Sequence, residues 1–389
     1  MIAEHPDNSQ ARIWLDATPL LHGERAVRRN TRNLLAALCA RPGANYGLLY
    51  FDRRGSTAGR LALPPDGCFD HLCRWPISLL LPGWRWLAEP SVERLVGPVD
   101  LLYAPDLYFP PVKQGLVLCT IRGLAYLTVG ELLNQRHRRD LITAFNYARL
   151  RSDYFLAVSE STRRDLLDCT DIPAERIYVV THGIDPGFTM LSKEQARQTV
   201  RTRFKLGRPY ALFVGAVAHH KNVLGLVEAY RLVARKEPDL DLVLAGPEET
   251  AAAEAREKIR AANLQARVHF LGAIQPEDPI LVSLYNAAEM LLFPSFYEGW
   301  CAPPLEAMAC GTPVVCSNVP SVSEVVGDAA VLIDPKDHEA LAGAIRTVLM
   351  DTSLRQGLVK AGIERASQHT WARSAERLEG VFADILART

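Results

Sequence analysis

Short apolar runs recur along this chain, each followed by a loop and then by apolar positions at helical spacing. In the first half the runs are Arg12–Ala17, Tyr46–Phe51, Leu101–Ala104, Leu116–Ile121, Tyr154–Ser159 and Ile177–Val180. In the second half they are Tyr210–Val217, Asp241–Ala245, Val268–Leu271, Met290–Pro294, Pro313–Cys316 and Ala330–Ile333. Near-continuous apolar strands are what a parallel sheet covered on both faces requires. Repeated strand–helix alternation predicts doubly wound α/β domains. Twelve strands exceed one comfortable open sheet, and 389 residues suit two domains of roughly 150–200 residues each. The pattern therefore predicts two sheets in two domains.

The boundary falls near Gly183-Ile-Asp185-Pro186-Gly187, where Gly and Pro punctuate the chain. The expected domains are 1–190 and 191–371, with the polar stretch Ser192–Lys205 reading as a helix. Ala372–Leu386 is an amphipathic helix with apolar Ala375, Leu378, Val381, Phe382 and Ile385. In open parallel sheets ligands sit beyond the carboxyl ends of the strands, so two such domains predict a site in the cleft between them.

Composition adds exclusions. Lys+Arg and Asp+Glu both number 44, so net charge argues for no polyanion and no nucleic-acid partner is expected. The eight cysteines form no zinc-type spacing, and several lie in apolar runs and read as small core residues, which fits a reducing cytosol. Met1–Asn8 lacks a charged-then-apolar leader, and no stretch reaches the roughly 18–20 apolar residues of a spanning helix. A cytoplasmic location is expected, with the inner face of the membrane as a peripheral option.

Four segments carry candidate chemistry. Two acids bracket Glu298-Gly-Trp-Cys-Ala-Pro-Pro-Leu-Glu306, and each can accept paired hydrogen bonds from the neighbouring hydroxyls of a sugar or ribose. Pro303 and Pro304 suit a helix's first turn and Gly311 its stop, which sets Glu306 in the first helical turn and Glu298 in the loop before it. Singly, each acid has a plainer reading: Glu306 complements the helix dipole, and Glu298 is a solvated loop acid. The segment Phe213–Asn222 opens the predicted helix Val223–Ala234, where backbone N–H groups and Lys221 suit a diphosphate. Its plainer reading is an ordinary strand–helix turn with a solvated lysine. Leu271-Gly272-Ala273-Ile274 is a strand end where a glycine lets a flat base approach the backbone, or else a tight turn. Arg74–Leu87, with Trp75, Trp84, Trp86 and Arg85 beside leucines, suits a lipid interface or an irregular core-covering loop. Ser159 and Ser161 read as caps of the helix Thr162–Cys169.

Together these residues resemble the large family of retaining glycosyltransferases with the GT-B fold and a Glu-x7-Glu motif, bacterial mannosyltransferase-like members among them. The likeness rests on Gly215…Lys221-Asn222, Leu244-Ala-Gly246, Phe270-Leu-Gly272, Phe293-Pro-Ser…Glu298-Gly…Pro304-Leu-Glu306 and Gly311-Thr-Pro-Val-Val. It also takes in Glu324–Ala330 and Thr370-Trp371, and is dense over 208–375. The fold it implies is α/β, GT-B: two facing Rossmann-like doubly wound domains with an interdomain cleft, the C-terminal helix 372–389 packing back on the first. Lys221 would bind the donor diphosphate, Glu298 the transferred sugar, and Glu306 the ribose. Gly215, His220, Gly299, Trp300, Cys301 and Leu305 would line sugar and phosphate, and Gly272, Ala273 and Ile274 the base. The implied reaction is metal- and cofactor-independent retaining transfer of a hexose, mannose from GDP-mannose first and a UDP-hexose second. The acceptor would be a saccharide or lipid-linked chain in polysaccharide biosynthesis, with peripheral membrane contact through 74–87.

Three departures qualify the likeness. His220 stands where relatives often carry arginine, and Ala26–Asn30 replaces a glycine-rich early loop. Arg122-Gly123 replaces a His-Asp pair, which makes Arg122 the third candidate catalytic residue beside Glu298 and Lys221. A non-catalytic relative serving a glycan-assembly complex is the alternative function. A glycoside hydrolase using the two acids is a more distant one.

Overall fold

A computed structural model of the chain describes residues 12–53, 59–64, 67–275 and 278–388. The segment Met1–Asn8, expected to lack a leader, lies outside the described residues. The chain divides into two compact units. One comprises Met1–Leu124, Arg139–Gly183 and Trp371–Thr389, and the other Ala125–Arg138 and Ile184–Thr370.

The first unit holds a seven-stranded sheet of β1 (Ile13–Asp16), β2 (Tyr46–Phe51), β3 (Phe69–Cys73), β4 (Leu101–Ala104), β5 (Leu116–Ile121), β6 (Tyr154–Ala157) and β7 (Ile177–Val179). The order is β3-β2-β1-β4-β5-β6-β7, and every pairing is parallel. The second unit holds a six-stranded sheet of β8 (Tyr210–Val214), β9 (Asp241–Ala245), β10 (Val268–Gly272), β11 (Met290–Phe293), β12 (Val314–Ser317) and β13 (Val331–Ile333). Its order is β10-β9-β8-β11-β12-β13, again parallel throughout. Both are Rossmann-like doubly wound sheets. Every residue of β4, β9, β11 and β12 is buried, which is why these strands are apolar but for Asp241 at the start of β9 and Ser317 at the end of β12.

Each sheet reverses its direction of growth once, between β1 and β4 in the first unit and between β8 and β11 in the second. At such a point the loops leaving neighbouring strands diverge and open a crevice at the carboxyl edge.

The helix Trp371–Ala387 closes the first unit. Its buried Trp371, Ala375, Leu378, Phe382 and Ile385 form one stripe at helical spacing. Phe382 packs 6.1 Å from the Tyr46 ring and 5.8 Å from Tyr103, and Glu379 accepts from Arg41 at 2.8 Å. Burying each of the large apolar side chains contributes about 1.5–3 kcal/mol, so this stripe fastens the helix far more than its surface ion pair does.

The structure corrects four expectations. β3 was not among the twelve predicted strands. Its sequence Phe-Asp-His-Leu-Cys mixes polar and apolar positions because it is an edge strand with Asp70 exposed. Ser159 alone caps its helix, with Oγ accepting from the Thr162 N–H at 3.0 Å, and Ser161 lies inside the helix Glu160–Cys169. Glu306 lies in the second turn of the helix Ala302–Ala309, because that helix starts ahead of Pro303 and Pro304, so dipole complementation at the first turn drops away. Arg74–Leu87 is no irregular loop: Ile77–Trp86 is helical with Pro82 inside it.

Candidate functional site

The second sheet's reversal point positions the leading candidates. After β8 the chain makes a one-turn 3₁₀ helix, His219–Lys221, and then Asn222 takes a left-handed conformation (φ 56°) before the helix Val223–Ala234. After β11 comes the loop containing Glu298 and Gly299, then the helix Ala302–Ala309. Because β8 and β11 are neighbours, Lys221 and Glu298 meet although they are 77 residues apart. Lys221 Nζ donates to Glu298 Oε1 at 2.7 Å and Oε2 at 2.8 Å, and lies 5.8 Å from the Phe293 ring centroid.

Two further bonds lock these loops together. The Phe296 N–H donates to the His220 carbonyl at 2.9 Å. The Asn222 side-chain amide donates to the Pro294 carbonyl at 3.1 Å and the Pro335 carbonyl at 2.6 Å. Asn is among the few residues that adopt φ > 0 readily, and its amide here joins the ends of three strand–loop units. The sequence reading missed this role of Asn222. Its position at a helix start was the available signal.

Glu298 is 7% exposed and Glu306 2%. Burying carboxylates this deeply is tolerated only with partners. Glu298 has Lys221. Glu306 Oε2 accepts from the Tyr285 hydroxyl at 2.8 Å, and Tyr285 belongs to the helix Ile280–Ala287. Tyr285 is itself fixed by the Phe188 ring at 5.7 Å, edge to face. Tyr285→Phe is expected to loosen Glu306 and weaken nucleoside-diphosphate binding roughly ten-fold, the scale of one hydrogen bond to a charged group. Calorimetry checks this, and an unchanged dissociation constant would separate Glu306 from the ligand.

Prolines thin the donors at the helix start. Of the four N–H groups that a helix leaves without an internal partner, two positions are Pro303 and Pro304, which have none. Cys301 and Ala302 remain. The Cys301 thiol is buried, donates to the Ser321 carbonyl at 3.7 Å, and is held far above its ordinary pKa by burial first and by Glu298 next. It stays a neutral packing group beside buried Leu305. Trp300 sits with its ring 5.4 Å from His369.

Gly215 and Gly272 stand at strand ends. The Gly215 N–H bonds the Ala245 carbonyl at 3.0 Å, and a Cβ on neighbouring Gly246 would meet the Gly215 oxygen at 1.8 Å. Gly272 has φ 69° and open space where a side chain would project, next to Ala273 and Ile274. His220 is pushed down to about 3, by burial first and then by the charges of Lys221, His137 and His219. It is neutral across the physiological range, so Lys221 is the cation of this loop.

In the first unit the corresponding edge carries a second polar cluster. Arg122 follows β5 and donates to the Pro105 carbonyl (3.0 Å) and the Thr31 hydroxyl (3.1 Å), with burial lowering its pKa and Asp106 opposing. Asp16, at the end of β1, is raised to about 7 by burial, although the Thr18 N–H donates to it at 3.0 Å. His182 is buried and held neutral, accepting from the Asn30 amide across 3.2 Å. Only Arg122 in this cluster was expected as a site residue. Placement just after strand ends was the signal for Asp106 and His182.

Two Rossmann-like doubly wound units in one chain are the architecture of the GT-B fold. Residues 194–365 match the family model for glycosyl transferases group 1, so the chain carries a group 1 glycosyl transferase domain. More particularly, it is 29% identical over 322 residues to the O-antigen chain mannosyltransferase B of Escherichia coli, 82% of each chain. It is 27% identical over 243 residues to the serotype-specific mannosyltransferase WbdA of Escherichia coli, 61% of this chain and 29% of that protein. In fold it is similar to sucrose-phosphate synthase of Thermosynechococcus elongatus (TM-score 0.72, 20% identity, 98% of this chain and 100% of that one). It is likewise similar to Anabaena HepE in complex with UDP and glucose (TM-score 0.71, 17% identity, 96% and 99%).

Proposed function

We propose that this glycosyltransferase moves mannose from GDP-mannose to a saccharide or lipid-linked acceptor, with retention of anomeric configuration and without a metal. The observation that carries the reading is the Lys221–Glu298 pair at the β8/β11 reversal point. A cation there balances a leaving diphosphate, and a buried carboxylate beside it accepts sugar hydroxyls. Glu306, steadied by Tyr285, takes the ribose. Gly272, beside Ala273 and Ile274, leaves room for the base. Gly215, His220, Gly299, Trp300, Cys301 and Leu305 shape the wall around phosphate and hexose. Attack from the face the diphosphate leaves, with a phosphate oxygen taking the acceptor proton, fits a site whose chemistry is positioning and charge stabilisation.

Mannose is favoured by the two mannosyltransferase relatives, and a UDP-hexose is the alternative donor suggested by the HepE complex. One observation favours a non-catalytic reading: Arg122, in place of the His-Asp pair, spends donors on its own unit's Pro105 and Thr31. A cytoplasmic site of action with peripheral membrane contact completes the proposal. Among the described residues no helix is long and apolar enough to cross a membrane.

Thermal denaturation against a panel of nucleoside diphosphates and their sugars tests the donor, since ligands of the native state raise its melting point. GDP-mannose is expected to give the largest rise. A larger rise with a UDP-sugar would reassign the donor, and no rise with any member would favour the scaffold reading.

A further inference from the structure

The helix Ile77–Trp86 is amphipathic in the wrong sense. Leu80 and Trp84 point inward, Trp84 1% exposed with its ring 5.0 Å from Phe51. That anchors one face. The opposite face carries Leu79 (72% exposed) and Trp86 (79% exposed), seven residues apart and so aligned along one stripe. Trp75 just before the helix and Leu87 just after it are exposed as well. A solvent-facing stripe of this kind is ordinarily polar, and a contiguous apolar surface marks something it touches.

Within this segment the charges are of one sign. From 74 to 87 there are two arginines, Arg74 and Arg85, and no acid. Arg85 lies over the Trp86 ring at 5.9 Å. Its carbonyl accepts from Arg151 at 3.3 Å, which brings in the end of the helix Gln135–Arg151 with exposed Leu150. The nearest acid along the chain, Glu89, is engaged by Lys113 and Arg94.

From this we infer that the first domain docks on an anionic phospholipid surface through Trp75, Leu79, Trp86, Leu87 and Leu150, with Arg74, Arg85 and Arg151 meeting the headgroups. Tryptophan suits this role because its ring is apolar and its N–H polar, so it rests at the headgroup level. Arginine suits it because its stem lies along apolar surface while its charge stays wet. The arginines on this rim favour an anionic bilayer over a neutral one. The inference deepens the peripheral contact proposed above, and it needs no transfer activity to test.

The experiment is co-sedimentation of the full chain with vesicles of phosphatidylcholine alone or mixed with phosphatidylglycerol, at low and high salt. The chain is expected to pellet with the mixed vesicles only, and to be released by salt. A Trp75→Ser/Leu79→Ser/Trp86→Ser variant is expected to stay in the supernatant while keeping the parent's melting temperature and nucleotide response. Arg74→Gln/Arg85→Gln, which spares the apolar stripe, is expected to lose most of the preference for mixed vesicles. A parent that stays in the supernatant with both vesicle types would overturn the inference, and so would equal pelleting with both. A concentration-dependent dimer abolished by the triple variant would assign the face to a second copy instead. Because nucleotide binding is read separately, failure here leaves the donor reading untouched, and failure there leaves this one.

Discussion

Glu298→Gln is expected to lower sugar transfer by roughly 10²–10³-fold, the range for removing one well-placed polar contact to a reacting group, while the melting temperature changes little. The side chain is 7% exposed, and its two oxygens both face Lys221 Nζ at 2.7 and 2.8 Å. Glutamine preserves shape and one acceptor but removes the charge and places an NH2 against an ammonium. Burial of that mismatch is eased because Lys221 is partly exposed and can swing to water. Turnover measured with saturating donor and acceptor is the check. Unaltered turnover in the folded variant would take Glu298 out of the reaction.

Lys221→Ala is expected to raise the dissociation constant for a nucleoside diphosphate roughly 10–100-fold and also to lower the melting temperature. The second effect follows from what is left behind. Without Lys221, Glu298 is a buried carboxylate lacking the only cation the structure pairs it with among the described residues, and leaving a buried charge unpaired is costly. Adding Glu298→Gln to Lys221→Ala should therefore recover part of the melting temperature without restoring nucleotide affinity. Calorimetry and thermal denaturation of the two single variants and the double variant separate these contributions. If the lysine variant binds nucleotide as the parent does, the ammonium has no part in holding phosphate. The pair also implies an exchange on binding: as the ammonium turns to diphosphate, the carboxylate must find new donors. On the proposed reading sugar hydroxyls provide them, so an intact nucleotide-sugar should bind more tightly than the bare diphosphate.

Most strands were legible because a covered parallel strand is apolar on both faces, as β11 shows. β3 was not, since an edge strand with Asp70 in water lacks that signature. The acids of the Glu298–Glu306 segment stood out as residues. Their surroundings did not, because contacts at a reversal point depend on which strands become neighbours. Nothing local in sequence announces that β8 lies beside β11, or that Tyr285 reaches Glu306 from another helix. Glu306 was placed one turn too early because two prolines can follow a helix start as well as make it. Around Arg122 the partners Thr31 and Pro105 come from distant segments, so its deep hydrogen-bonded setting became visible only in the fold.

Pro303 and Pro304 have a consequence for turnover. They silence half of the directional donors at the mouth of the helix Ala302–Ala309 but leave its dipole, a property of every peptide in the helix. An anion resting there is drawn by a diffuse field more than clasped by bonds of fixed direction. On the proposed reading, such a seat would tolerate a phosphate that shifts as its bond to carbon lengthens, and would let the spent group slip away once the sugar has gone.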